Sequence, residues 1–183
     1  MLLLSGEAGI GKSRLVRAFK DAVVQDPSDL FEYRCSRQHQ HSAFYPVINL
    51  FKQVLRLDQD NVFSTPWHEL EHTLNQYGLP SHASRALLAN TLLLSPPHDL
   101  VPPPGLSPQC ERRQLFDTMQ TLLTGLAAEH AIALIVEDLH WIDASTLELL
   151  NLLVTQGLPA HLMIVLTCRP EFDVPWAQQT FFT

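Results

Sequence analysis

The sequence is short of basic residues. Its 183 residues hold 12 Lys and Arg against 19 Asp and Glu, a formal net charge of -7. Non-specific nucleic-acid binding draws on clustered Lys and Arg, so the composition argues against direct nucleic-acid contact by this segment. Cysteine is scarce as well. Cys35, Cys110 and Cys168 are odd in number and widely spaced, which fits reduced thiols in a cytoplasm better than a disulfide framework. No apolar run approaches the roughly 20 residues that span a bilayer. Met1–Leu4 is too short for a signal peptide and has no basic flank. There is no internal repeat. What remains is a chain that is 46% hydrophobic, long enough for one α/β domain with a real core.

Residues 6 to 13 read Gly-Glu-Ala-Gly-Ile-Gly-Lys-Ser. This is the pattern G-x-x-x-x-G-K-[ST], with Gly6, Gly11, Lys12 and Ser13 at the fixed positions. Each position has its own physical task. Glycines let the backbone curl so that its N–H groups point inward at a phosphate. Lys12 can reach β- and γ-phosphates, and the Ser13 hydroxyl can ligate Mg²⁺. A helix starting at Lys12 adds its positive end. Glu7, Ala8, Gly9, Ile10 and Arg14 complete the expected nucleotide-binding segment. Leu2–Ser5 ahead of it suits a buried parallel strand, and Leu15, Val16, Phe19 and Val23 mark one face of the helix behind it.

The rest of the chain alternates strands and helices. Leu30–Cys35 reads as a strand. Tyr45-Pro46 opens a helix with Val47, Leu50, Phe51 and Val54 on one face. Thr65-Pro66 opens another, with Trp67, Leu70, Leu74 and Tyr77 aligned, stopped by Gly78-Leu79-Pro80. A third runs from about Ser84 to Leu93. Prolines 96, 97, 102, 103, 104 and 108 make either a stiff connector or a disordered one. Ser107-Pro108 caps a long helix buried through Leu115, Met119, Leu122 and Leu126. Ile132–Val136 is a buried strand. Ser145 and Glu148 read as the capping box of a helix ending near Gly157, and Leu162–Thr167 is a fourth strand. This order implies a mostly parallel sheet with right-handed crossovers and a ligand at the strands' carboxyl ends. Glu137 and Asp138 end one strand, and Thr167 and Arg169 end another. An acidic residue there can hold Mg²⁺ and a second can orient water, while an Arg can neutralise phosphate charge.

Taken together, Gly6–Leu15, Val136–Leu150 (VEDLHWIDASTLELL) and Leu166–Phe172 (LTCRPEF) resemble the signal-transduction ATPases with numerous domains, the STAND class of AAA-like P-loop NTPases. The likeness is to modules beside class III adenylate cyclases, kinases or LuxR-type regulators in bacteria, and Arg34–Val47 is similar to their segment after strand two. The resemblance implies a P-loop NTPase α/β/α sandwich over residues 1–183, with a helical insert at about 44–94 and the proline-rich connector at 95–108. It implies a strand order 5-1-4-3-2. The chain is read as a piece of a longer protein, truncated before strand five and the lid domain, so that Leu2–Ser5 becomes a sheet edge. By the same resemblance Lys12 and Ser13 are the Walker A pair, Glu137 and Asp138 the Walker B acids, and Arg169 the sensor-1 residue. Glu137 and Ser13 are the expected Mg²⁺ ligands, with Asp138 orienting water. Relatives often place Asp first in the acidic pair, which leaves the two roles open between Glu137 and Asp138. His140 and Trp141 match an L-H-W string. His140 either approaches the γ-phosphate or is bonded within its turn, and Trp141 reads as packing.

Two functions follow from the resemblance. One is a cytoplasmic switch that binds ATP or ADP with Mg²⁺ and hydrolyses slowly within a signalling or transcription-regulating protein. The other is a nucleotide-gated interaction module with negligible turnover. The partners implied are the other domains of the same chain and further copies of it, with no membrane. A rival motif, His68-Glu69-Leu70-Glu71-His72, matches the zinc-peptidase pattern H-E-x-x-H. It lacks a third ligand, and its helix has a complete apolar face without either His, so it reads as a solvated face.

Overall fold

The computed structural model describes residues 1–23, 30–55, 66–78, 81–95, 100, 105 and 107–176. In chain order these form β1 (Leu2–Ser5), α1 (Lys12–Val23), β2 (Leu30–Arg34), α2 (Tyr45–Val54), α3 (Pro66–Gln76), α4 (His82–Thr91), α5 (Pro108–Glu129), β3 (Ile132–Glu137), α6 (Ala144–Gln156) and β4 (Leu162–Cys168). All strand pairs are parallel and the sheet order is β1-β4-β3-β2. The fold is that of an α/β P-loop NTPase, and the four strands follow the implied order. Thr65, Leu79, Pro80 and prolines 96, 97 and 102 to 104 lie outside the described residues.

The chain divides into two compact units, one of residues Met1–Leu50 with His130–Thr183 and one of Phe51–Glu129. In the first, β3 is buried along its whole length, as a strand paired on both sides and covered on its faces must be. Val16 of α1 packs with Ile135 and Val165, and Leu4, Phe19, Leu30 and Met163 surround them. Each such aliphatic side chain contributes about 1.5–3 kcal/mol when fully buried. β1 is the sheet edge that the implied order makes it, and not the buried strand that its apolar run alone suits. Among the described residues it pairs only with β4, and its outer residues Leu2 and Ser5 are exposed. Leu15 also departs from expectation: it is 59% exposed, and the inward face of α1 is carried by Val16 and Phe19.

The start of α6 needs a further correction. The cap is Asp143, in an extended conformation, and not Ser145. Its carboxylate accepts from the backbone N–H of Ser145 (3.1 Å) and Thr146 (3.0 Å), from Thr146 Oγ1 (2.6 Å) and from Phe44 N–H (3.0 Å). The last bond comes from the loop ahead of α2, so one buried carboxylate holds two segments 99 residues apart. Local spacing offers two cap-type residues, and the tertiary contact selects the first.

In the second unit, Trp67, Leu70 and Leu74 form the buried face of α3, while His68 and His72 are exposed. α4 begins two residues before its expected start, capped by Ser81, whose side chain accepts from Ser84 N–H. Ser107 caps α5 by accepting from Cys110 N–H at 3.3 Å. Gly125 lies under the ring of Tyr77: a Cβ there would stand 2.5 Å from Cδ1. The Tyr77 hydroxyl is fixed by donating to Glu129 at 2.8 Å. No helix among the described residues is long and apolar enough to cross a membrane.

Candidate functional site

The site sits where four strand ends meet. The register places Leu4 opposite Thr167, and Arg34 opposite Glu137, so the residues following β1 to β4 emerge on one edge. Two backbone bonds extend the ladders past the strands: Gly6 N–H to Cys168 O (3.3 Å) and Cys35 N–H to Glu137 O (2.9 Å). They fix the roots of the glycine loop and of the segment after β2.

Gly9 and Gly11 hold φ of 81° and 105°, a region open to glycine at little cost. A side chain at either would meet nothing within 4 Å. The requirement is therefore conformational, set by the turn of the backbone. Arg14 and Leu15 N–H both reach Gly11 O, at 3.0 and 3.1 Å, and this begins α1. Lys12 folds back over the loop, donating to Gly6 O at 2.5 Å and Glu7 O at 2.9 Å.

Ser13 Oγ donates to Glu137 Oε2 at 2.7 Å, joining the loop to the end of β3 across 124 residues of sequence. Glu137 is 7% exposed. A hydroxyl and a carboxylate in contact at the positive end of a helix are an oxygen donor set suited to a hard divalent cation. The residues present fit Mg²⁺ with Ser13 and Glu137 as ligands.

Asp138 follows in the left-handed conformation, φ 59° and ψ 45°. Asp tolerates this region better than most residues. Two bonds hold it there: its N–H donates to Thr167 Oγ1 at 3.0 Å, and its Oδ2 accepts from Arg34 Nε at 2.7 Å. The carboxylate holds the Arg34 guanidinium above its ordinary pKa, first through the hydrogen bond and then through charge. The turn then tightens through Trp141 N–H to Asp138 O at 2.9 Å. This sets His140 and Trp141 on the 3₁₀ turn Leu139–Trp141.

Between the loop and the strand ends lies a cavity of about 310 Å³, lined by Ala8, Gly9, Gly11, Lys12, Ser13, Arg14, Arg34, Asp138, His140, Trp141 and Arg169. That volume is at the low end for ligand pockets and suits a polyphosphate group. Four of its side chains are cationic and one is a carboxylate, a balance that favours a polyanion. Burial lowers the pKa of His140, and Arg169 lowers it further, so its imidazole is neutral at pH 7. Guanidinium Cζ of Arg37 stands 5.8 Å from the centre of the Trp141 ring, a cation–π distance.

Most of the sequence-derived site residues meet at this cavity: Ala8, Gly9, Gly11, Lys12, Ser13, Arg14, Asp138 and Arg169 line it. Glu137 reaches it through Ser13. Gly6 and Glu7 take part through their carbonyls. Ile10 is 71% exposed at the loop tip, and its side chain is not on the lining. Sequence reasoning missed Arg34. The signal was its place at the carboxyl end of a strand, next in the sheet to the acidic pair.

No solved structure gave a match. An uncharacterized protein of Rhizobium meliloti (strain 1021) is 23% identical over 181 residues, which is 96% of this chain and 17% of that protein. The chain thus spans about a sixth of the length of that curated relative. The AAA ATPase domain family matches residues 1–165. The chain belongs to the AAA ATPase domain family.

Proposed function

We propose that this chain binds ATP with Mg²⁺ and hydrolyses it slowly, as the switch module of a larger cytoplasmic signalling or transcription-regulating protein of the STAND type. One observation supports this above the others: the 2.7 Å bond from Ser13 Oγ to Glu137 Oε2. It brings the hydroxyl of the glycine loop and the acid of a distant strand to one point, beside a cationic cavity of polyphosphate size. Lys12 and the loop amides are the groups for the β- and γ-phosphates. Ser13 and Glu137 would hold Mg²⁺, which when bound would supply Lewis-acid neutralisation of phosphate charge. Arg169 neutralises charge at the terminal phosphate, and Asp138 orients the attacking water. The partners are further domains of the same polypeptide and other copies of the chain.

A second reading has its own support. Asp138 gives Oδ2 to Arg34 at 2.7 Å, so the proposed water-orienting carboxylate is engaged. That favours a module that binds nucleotide and turns it over negligibly until Arg34 lets go. Calorimetry and phosphate release on the same protein separate the two readings. Mg-ATP binding should be present in the wild type and fall by about a hundredfold or more in Lys12→Ala, which removes a charged donor from two phosphates. Unchanged affinity in that variant removes Lys12 from the site.

A further inference from the structure

His140 has an unusual combination of surroundings. Its ring lines the cavity, but its Nδ1 is closed from solvent and has no hydrogen-bond partner among the described residues. That nitrogen is therefore not bonded within its turn, which weighs against one of the two readings the sequence left open. Cationic Lys12, Arg14, Arg34 and Arg169 share the lining with it, against the single carboxylate of Asp138. A second proton would put a positive charge on the ring, which those cations oppose, so it holds one N–H. Two tautomers are available. With the proton on Nδ1, a buried N–H is left without an acceptor, and a bare lone pair on Nε2 faces the site of a polyanion. With the proton on Nε2, the buried atom is a lone pair, the less costly orphan, and the N–H is available to the cavity.

We propose that His140 is a terminal-phosphate donor: a neutral imidazole whose Nε2–H bonds a γ-phosphate oxygen, letting the cavity tell a nucleoside triphosphate from a diphosphate. The inference rests on the nucleotide-binding reading above. The place of His140 gives the phosphate it serves. The glycine loop encloses one side of the cavity and would take the inner phosphates, with Lys12 reaching from the β- to the γ-phosphate. His140 follows β3 and Arg169 follows β4, away from the root of the loop at the end of β1, and on this proposal both serve the terminal phosphate. Arg169 supplies charge there. The imidazole supplies a directed bond that only a third phosphate can accept.

The test compares two amides. Gln carries its amide nitrogen about where Nε2 lies, and Asn carries its own about where Nδ1 lies. Calorimetry with Mg²⁺ measures the affinity of the full-length protein for ADP and for the non-hydrolysable triphosphate AMP-PNP, with a thermal melt of each variant. His140→Asn and His140→Phe should lose about tenfold in AMP-PNP affinity, the worth of one hydrogen bond to a charged group, with ADP affinity within about twofold. His140→Gln should keep the wild-type ratio within about threefold. A wild-type ratio in both Asn and Phe variants overturns the proposal. So does an equal loss of both nucleotides, with or without a lowered melt, which marks a structural role. Retention in Asn with loss in Gln assigns the bond to Nδ1 and also overturns it. If the wild type binds neither nucleotide, the ATP reading itself falls and takes this inference with it.

Discussion

Arg34 Nε and Asp138 Oδ2 lie 2.7 Å apart at the carboxyl ends of the adjacent strands β2 and β3. The Arg34 side chain is 68% exposed and that of Asp138 23%, so the pair contributes no more than about 1 kcal/mol to stability. Its weight falls on chemistry, because a carboxylate shared with a guanidinium is a poor acceptor for a water proton. Arg34→Ala should therefore leave the melting temperature nearly unchanged and raise the steady-state rate of phosphate release severalfold. A fall in that rate would instead make Arg34 a contact of the phosphates.

The two acids should separate under neutral substitution. Glu137→Gln keeps shape but removes the negative charge facing Ser13, so Mg-ATP affinity should drop by about tenfold or more. Asp138→Asn should bind Mg-ATP as the wild type does and lose turnover. Asn also tolerates the left-handed conformation of residue 138, so its fold should persist. Paired affinity and phosphate-release measurements decide the assignment. Wild-type behaviour in both variants would remove the acidic pair from the site.

Asp143→Ala should destabilise the protein by about 3 kcal/mol, through a lost helix cap and buried donors left unpaired. The residue is 3% exposed and accepts from Phe44, Ser145 and Thr146. Chemical denaturation reads the change. A loss under 1 kcal/mol would show that water replaces the carboxylate.

The thiols should differ in reactivity. Cys110 is exposed, whereas Cys35 and Cys168 are buried. Burial pushes the Cys35 thiol up to about 12, aided by the nearby charges of Asp143 and Asp138. Native protein at pH 8.5 should take up one thiol reagent per chain, at Cys110, and all three sites only when denatured. The sign for stability follows. An acid with a raised folded pKa favours folding while both states are protonated, and that contribution is lost as pH rises from the unfolded value toward about 12. Rapid native labelling of Cys35 would contradict its burial.

The sequence made the strands and the glycine loop legible because their signals are local. Ile132–Val136 is a continuous apolar run, and Gly6–Ser13 carries fixed spacing. What was not legible depends on contacts between distant segments. Arg34 joins the site only once β2 is laid beside β3. Asp143 outranks Ser145 as a cap because Phe44, far away in sequence, donates to it. Leu15 has the right period for a buried face, but α1 meets the sheet through Val16 and Phe19. Ile10 falls within the motif by count, yet its side chain turns outward at the loop tip.

The fold-back of Lys12 onto Gly6 and Glu7 carbonyls makes the loop self-complementary. An arriving anion enters an exchange, taking the ammonium from two neutral oxygens that hold two of its three N–H donors. Where two phosphate oxygens replace the two carbonyls, the count of hydrogen bonds gives no net gain. What changes is the charge of the acceptor. A monovalent ion of modest charge density gains little by displacing two carbonyls, whereas a polyphosphate gains at every oxygen it presents. The lysine is thus a discriminator by charge density, and the two carbonyls set the threshold an anion must exceed to enter.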